Sequence, residues 1–492
     1  MNQTTSAIPI LAVAVSLAAV PLIVASSRRP NLREFWTLAA AVIKFGLVFS
    51  LLGPVLSGET PIARLGSLAP GLPLYLRVDA FGLFFALVAS ALWILTSVYS
   101  IGYIRGLDSP KQTRYFASFA VCLGSTIGLA FSGNLITFLI FYEMLSIATY
   151  PLVIHKENQE SLAAGRKYLT YALSAGLLLI LATAWTSQLA PTLEFKAGGF
   201  LVPAMTGKGE LRILFSLFIL GVGVKAAIMP LHSWLPTAMA APTPVSALLH
   251  AVAVVKAGVF GVVRVVFFIF GPNTLSSIGV ADILAWSGAI TFVLASFVAL
   301  RQDHLKRRLA YSTIGHLSYI VMGAAVLTPA ALTGATLHLA FHAVMKITLF
   351  FCAGAIYVKA HLENISDMDG LGRQMPFTFG AFTVGALGLA GVPPVCGFVS
   401  KWYLGKGTVD AGDFWFLGFL LLSGLLNAAY FFPVFLRGFF GAPAKEIRVN
   451  EASAPMVVPL TITAAAALVL GIAPNAVFHF VDLAQLVVKS AF

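Results

Sequence analysis

Ionisable side chains recur in segments of this chain that are otherwise apolar. Glu143 stands in ITFLIFYEMLSIATYPLVI, Lys225 in LFSLFILGVGVKAAIMP, Lys256 in ALLHAVAVVKAGVFGVV, Lys346 in HLAFHAVMKITLFF, Lys401 in GVPPVCGFVSKWYL and Lys44 in AAVIKFGLVFS. An ionised group at the centre of a membrane helix costs about 2.5–3.5 kcal/mol on insertion scales, so six would cost roughly 15–20 kcal/mol. A purely structural bundle has little reason to carry that burden. Such residues usually face a protein interior or a water-filled path. Movement of charge through a membrane is the chemistry they point to.

Spacing narrows the choice. His338, His342 and Lys346 are four residues apart and lie along one face of a helix. Imidazole titrates near neutral pH and desolvation favours the neutral amine of a buried lysine, so a water-linked row of such groups can pass protons on. His250 and Lys256 on one neighbouring segment, and His316 on another, are further members. Each histidine taken singly is equally consistent with a hydrogen-bonded core residue. Glu143 and Lys225 are the second candidate unit. A carboxylate beside an ammonium keeps both charged, and separating them lets the lysine release its proton. The plainer alternative is a fixed buried salt bridge that orients two helices. Asp79 reads as a helix-end residue, while Arg264, and in part Lys44, can snorkel toward an interface.

The elements that must hold these side chains are membrane helices. The chain has 492 residues, 59% hydrophobic and 10% charged, with a mean hydropathy of +0.91. Apolar stretches of about 20 residues, each able to cross the hydrocarbon core, recur along almost its whole length. The expected class is an all-α integral membrane protein with no sizeable soluble domain. Fourteen spans are expected, at 7–26, 36–57, 78–101, 114–131, 134–154, 166–187, 211–239, 243–270, 276–300, 308–327, 330–358, 376–404, 413–437 and 455–480. The first apolar run, Ile8 to Ala25, follows no basic residue and ends in Ser26-Ser27-Arg28-Arg29, the wrong charge order for a signal peptide. It is read as a retained helix. Eighteen lysines and arginines, Arg28, Arg29, Arg307, Lys445 and Arg448 among them, fall in loops on one side of the spans and seven on the other. The positive-inside rule then places both termini on the outer, periplasmic side of an energy-transducing membrane, taken as the bacterial plasma membrane.

Two spans are broken. The seventh passes through Lys225-Ala-Ala-Ile-Met-Pro230 and the twelfth through Gly391-Val-Pro393-Pro394 before Lys401. Proline removes a backbone donor and frees carbonyls that need other partners. The two spans run in opposite directions. With spans four to eight (106–271) and nine to thirteen (272–440) as two inverted five-helix repeats, the breaks occupy equivalent positions. Residues 1–105 then hold the first three helices and 441–492 the last. Inverted repeats with ion sites beside discontinuous helices are a transporter layout, although proline kinks are also common in membrane helices.

Several functions are excluded. Cys122, Cys352 and Cys396 all lie in apolar stretches without metal-ligand spacing, so neither a cluster, a zinc site nor a disulfide framework is expected. There is no P-loop, and Gly221-Val-Gly223 lacks the third glycine of a dinucleotide fingerprint. No cofactor is expected. The net charge of +12 is dispersed over loops, which suits anionic lipid headgroups rather than nucleic acid.

The stretch VKAAIMPLHSWLPTAMAAPTPVSALLHAVAVVKAG, with FYEMLSIATYPLV, HLAFHAVMKITLFF and GVPPVCGFVSKW, resembles the antiporter-like subunits shared by complex I, membrane-bound hydrogenases and Mrp-type cation/proton antiporters. The similarity covers nearly the whole chain. It implies fourteen helices with two inverted repeats. It also implies that Glu143 and Lys225 are the acid–lysine pair of an inner half-channel in the first repeat and Lys256 the connecting lysine. His338, His342 and Lys346 would continue a central polar axis, with Lys401 as the terminal lysine of an outer half-channel in the second repeat. M-type members of complex I usually have a glutamate at that last position, and the largest paralogue has a long lateral helix for which residues up to Phe492 leave no room. What remains is a D-type Mrp subunit, a closely similar hydrogenase subunit or the N-type subunit of complex I, and SKWYL and YEMLSIATYPLV are most like the D-type and hydrogenase groups. The implied partners are other membrane subunits of such a complex, protons, and Na+ or K+.

Overall fold

The computed structural model describes residues 2–442 and 449–492, so Lys445 and Arg448 lie outside the described residues. The chain opens with β1 (Asn2–Thr5), α1 (Ile8–Ala25), α2 (Pro30–Ser50), the short α3 (Leu52–Leu56), β2 (Glu59–Ala69) and β3 (Leu72–Arg77). Then come α4 (Ala80–Gly106), α5 (Gln112–Ala130), α6 (Leu135–Val153), α7 (Gln159–Leu189), α8 (Lys208–Lys225) and the single turn α9 (Trp234–Thr237). The next helix is irregular: α10 (Thr243–Ala247), a π-helical turn (Leu248–Val252), α11 (Val254–Arg264) and a second π-helical turn (Val265–Phe270). It is followed by α12 (Pro272–Ile278), α13 (Ala281–Leu300), α14 (Leu305–Ala325) and α15 (Pro329–Ala360). The chain closes with α16 (Pro376–Ala390), α17 (Cys396–Asp410), α18 (Phe414–Phe440), α19 (Ala454–Ile472) and α20 (Phe480–Ala491).

The protein is an all-helical membrane bundle apart from one small sheet. Each of the fourteen segments expected to span contains helix, several of them interrupted, and ten of the described helices are long and apolar enough to cross a membrane. The expected last span, 455–480, is shorter than that. α19 stops at Ile472, and α20 is a separate amphipathic helix packed on α4 and α15. The sequence reading missed the sheet, in which β1 runs parallel and β3 antiparallel to β2. Its hairpin turn is Pro70-Gly71 between the paired Ala69 and Leu72, with Gly71 at φ +82°. Proline followed by a left-handed glycine suits a type II turn.

At the centre stands α15, buried continuously from Ala330 to Ile356 and packed against α4, α14, α16, α17, α19 and α20. Its start is encoded locally: Thr328 accepts a hydrogen bond from the Ala331 amide, and Pro329 occupies the first turn, where no amide donor is needed. Asn134 and Asn158 cap α6 and α7 in the same way, accepting from Thr137 and Ser161 at 2.8 Å.

Both breaks occur where the prolines place them, each with a cis X–Pro peptide, Met229–Pro230 and Pro393–Pro394. Their freed carbonyls find different partners. After α8, the Val224 carbonyl accepts from the buried Trp234 indole at 2.7 Å. After α16, the Leu389 and Ala390 carbonyls accept from Lys401 Nζ at 2.7 and 3.0 Å. A cation is well placed there, because the carbonyl end of a helix carries partial negative charge.

Two charged residues depart from expectation. Arg264 does not snorkel: it is buried, and its guanidinium makes bonds of 2.6 and 2.8 Å to both oxygens of Asp79. The rings of Phe81, Phe195, Phe260 and Phe268 surround it at 4.6–5.5 Å. Asp79 is the expected helix-end residue, capping α4 through the Gly82 amide. Removing one partner of a buried pair strands the other charge, at about 3–5 kcal/mol. Arg264→Met should therefore lower the stability of the purified protein by that amount in thermal unfolding, and adding Asp79→Asn should recover part of the loss. Lys44 is fully buried on α2 with its ammonium 5.0 Å from the Trp93 ring, away from the other lysines.

Candidate functional site

The remaining sequence-predicted residues gather between α6 and α18, and all but Glu143 and Lys401 are fully buried. Lys225 ends α8 and donates 2.6 Å to the Tyr142 carbonyl, its ammonium 3.3 Å from the centre of the Tyr142 ring. Glu143 is the next residue along α6, yet among the described residues no carboxylate oxygen lies within 4.0 Å of Lys225 Nζ. Glu143 Oε1 is buried and has no hydrogen-bond partner among the described residues. The acid and the lysine are neighbours that are not in contact. The carboxylate occupies space left by Gly176 of α7, where a Cβ would stand 2.7 Å from its carboxyl carbon. Gly176→Ala should displace it and reduce transport about tenfold or more with assembly intact, a size of effect familiar from ångström-scale misplacements. Vesicle transport assays and native electrophoresis together check this.

Lys256 follows the first π-helical turn and approaches His342 Nδ1 at 2.6 Å. No direct hydrogen bond joins Lys225 to Lys256 among the described residues. The two helices meet instead at Gly258, whose missing side chain admits the Lys225–Ala226 backbone. His316, His338 and His342 form a stack with centroids 5.2–5.8 Å apart. His316 Nδ1 lies 3.1 Å from His338 Nε2, and His338 Nδ1 2.8 Å from Ser400 Oγ, next to Lys401. His250 sits within the π-helical turn against Phe350, with both ring nitrogens unpartnered and Lys256 and Lys346 as its nearby charges. π-helical turns widen a helix locally and often mark functional positions.

Lys346 leads away from the stack. It donates 2.8 Å to Ser312 Oγ, which lies 2.9 Å from the Tyr430 hydroxyl. That hydroxyl bonds Asn427 Oδ1, and the Asn427 amide donates 3.2 Å to both the Tyr319 hydroxyl and the Leu389 carbonyl. Leu389 O is also held by Lys401. The structure thus brings Lys256, Lys346, Lys401 and the four histidines into one region, with Glu143 and Lys225 beside it.

Sequence reasoning missed Ser312, Tyr319, Ser400, Asn427 and Tyr430. Asn427 and Tyr430 did leave a signal, two polar groups three apart in an otherwise apolar helix. It missed also the polar contacts flanking the first break: Tyr171–Ser233 at 2.8 Å and Lys167–Thr237 at 3.2 Å. Lys306, counted only as a loop charge near the tenth span, is buried and donates to the Met239 and Ala241 carbonyls at 2.8 and 3.1 Å.

Residues 132–426, which include Glu143, both breaks and every lysine of the axis, match the transmembrane family described as NADH:quinone oxidoreductase/Mrp antiporter. The chain belongs to this family. It is 30% identical over 492 residues to the N-type subunit of NADH-quinone oxidoreductase from Desulforudis audaxviator, covering 95% of this chain and 96% of that one. Similarity to the D-type subunit of the Na(+)/H(+) antiporter of Bacillus subtilis is 25% over 469 residues, covering 95% and 94%. Its fold matches a chain in the structure of the Mrp complex from Dietzia sp. DQ12-45-1b with a TM-score of 0.89, at 19% identity and over 99% and 97% of the two chains. The protein is therefore an antiporter-like, multi-pass membrane subunit of the complex I and Mrp type, a class found in multi-subunit membrane assemblies.

Proposed function

We propose that this chain translocates protons within a hetero-oligomeric membrane complex, acting in the manner of a D-type Mrp subunit that exchanges H+ for Na+ or K+ with its partner subunits. The observation that carries this reading is the gathering of buried proton-bearing groups: Lys256 on His342, the ring stack of His342, His316 and His338, and His338 on Ser400, the residue before Lys401. Glu143 and Lys225 act as the switch at the inner end. With Lys225 on the Tyr142 carbonyl the carboxylate stands free; a swing of the ammonium to Glu143 closes the pair, and its return releases a proton toward Lys256. On this reading protons enter the inner half-channel at Glu143 and leave toward the outer side from Lys401. Fourteen spans in two inverted five-helix repeats, with both termini on the periplasmic side of the bacterial plasma membrane, complete the proposal. Lipid headgroups meet the basic loops.

The second reading is the proton-pumping arm of a redox complex, favoured by the 30% identity to an NADH-quinone oxidoreductase chain of the N type. Purification of the chain with its native partners, followed by mass spectrometry, separates the two. Only small multi-pass subunits would support the antiporter, and iron–sulfur or quinone-reducing subunits the redox pump. Soluble proteins alone would sink both.

A further inference from the structure

Tyr430 has one hydroxyl proton and two acceptors, Ser312 Oγ on the Lys346 side and Asn427 Oδ1 on the Lys401 side. The orientation of Asn427 is set by its other contacts: its amide nitrogen must face the Leu389 carbonyl, since two oxygens would repel there. Leu389 O is consequently shared between two donors, Asn427 Nδ2 at 3.2 Å and Lys401 Nζ at 2.7 Å. An amide does not pass protons along, so this chain of contacts is not a proton wire. It is a mechanical link.

We propose that Tyr430 and Asn427 are positioning residues that tie the charge on Lys346 to how firmly the broken end of α16 holds Lys401. A positive Lys346 bonded to Ser312 turns the Tyr430 proton away, toward Asn427 Oδ1. Asn427 is then anchored, and its amide occupies part of the Leu389 carbonyl, loosening the grip on Lys401. When Lys346 is neutral, Ser312 Oγ accepts the Tyr430 proton, Asn427 is released and Leu389 O serves Lys401 alone. Arrival of charge at the middle of the axis would thus free the outer lysine before any proton reaches it. The link explains why a tyrosine and an asparagine lie fully within an apolar bundle, where each polar group must be satisfied. It rests on the proton-transfer reading of the axis.

Other titratable groups face these lysines and set the background. Tyr319 and His316 of α14 and His338 of α15 face Lys401, Tyr430 of α18 lies one hydrogen bond further away on Asn427, and α16 and α19 contribute none. His250, Lys256 and the stacked His316, His338 and His342 face Lys346.

The test uses the whole complex in vesicles, with transport measured against pH for Tyr430→Phe, Asn427→Leu, their double variant and Lys401→Ala, and assembly checked by native electrophoresis. Each single variant is expected to move the pH of half-maximal transport by about one unit, a shift of the size one charge-linked hydrogen bond produces. The double variant should move it no further than the larger single, because both cut the same link. Unshifted profiles, or additive shifts, overturn the proposal while Lys401→Ala remains inactive. Undiminished transport in Lys401→Ala would instead remove the proton-transfer reading beneath it. Should Asn427→Leu not assemble, Ser312→Ala cuts the link one step earlier, and an unshifted profile there overturns the proposal equally.

Discussion

Lys401→Arg is expected to assemble normally and yet lose coupled transport by about 100-fold or more, equivalent to roughly 2.7 kcal/mol of barrier. Lys401 does two jobs that this substitution separates. Its ammonium neutralises the carbonyl end of α16, through Leu389 O and Ala390 O, and arginine keeps that charge and its hydrogen bonds. Lysine can also lose its proton once desolvated, which arginine does not do at any accessible pH. Lys401→Ala should abolish transport as well. It additionally strands the Ala390 carbonyl and leaves Leu389 O to Asn427 alone, at about 1–3 kcal/mol for the unsatisfied group, and should melt lower. Equal transport by the arginine variant and the parent in reconstituted vesicles would mean that Lys401 is only a helix cap.

Glu143→Gln carries the other large effect. The side chain is held beside Gly176 with one oxygen unpartnered, so glutamine fits the same space and assembly should be unchanged. What disappears is the negative charge that draws Lys225 from the Tyr142 carbonyl. Without it the ammonium has no second position, and pH-gradient formation should fall to background, again about 100-fold or more. Glu143→Ala should behave alike, and Glu143→Asp should retain part of the rate because its carboxylate is shorter but still charged. Normal activity in a well-assembled Glu143→Gln complex would leave Glu143 a structural residue and dispose of the switch. Together with Lys401→Arg, this variant tests the two ends of the axis independently.

How much of this was legible beforehand differs between fold and site. Membrane helices are long apolar runs, so composition and hydropathy located the long helices of the bundle, with some ends off by up to about two turns, and the prolines located both breaks. The sheet was not legible because its two longer strands lie in a loop between spans, where β2 shows no regular apolar alternation. α20 was not anticipated: the expected last span, 455–480, runs on past the end of α19 at Ile472 and stops at Phe480, the first residue of α20, an amphipathic helix too short to read as a span.

The chemistry divides along the same line. Burying a charge in lipid is so unfavourable that its mere presence in an apolar run singles out Glu143, Lys225, Lys256, Lys346 and Lys401 as candidates without any coordinates. The four-residue spacing of His338, His342 and Lys346 likewise follows from helical periodicity alone. Only the tertiary structure decided which of these groups meet. Lys225 turns to a backbone carbonyl rather than to Glu143, Arg264 finds Asp79 rather than the interface, and Lys346 and Lys401 are joined through Ser312, Tyr430 and Asn427. Hydroxyls, amides and carbonyls cost too little singly to stand out in a sequence. Their partners come from helices distant along the chain, so the hydrogen bonds that organise the charges exist only once the bundle has packed.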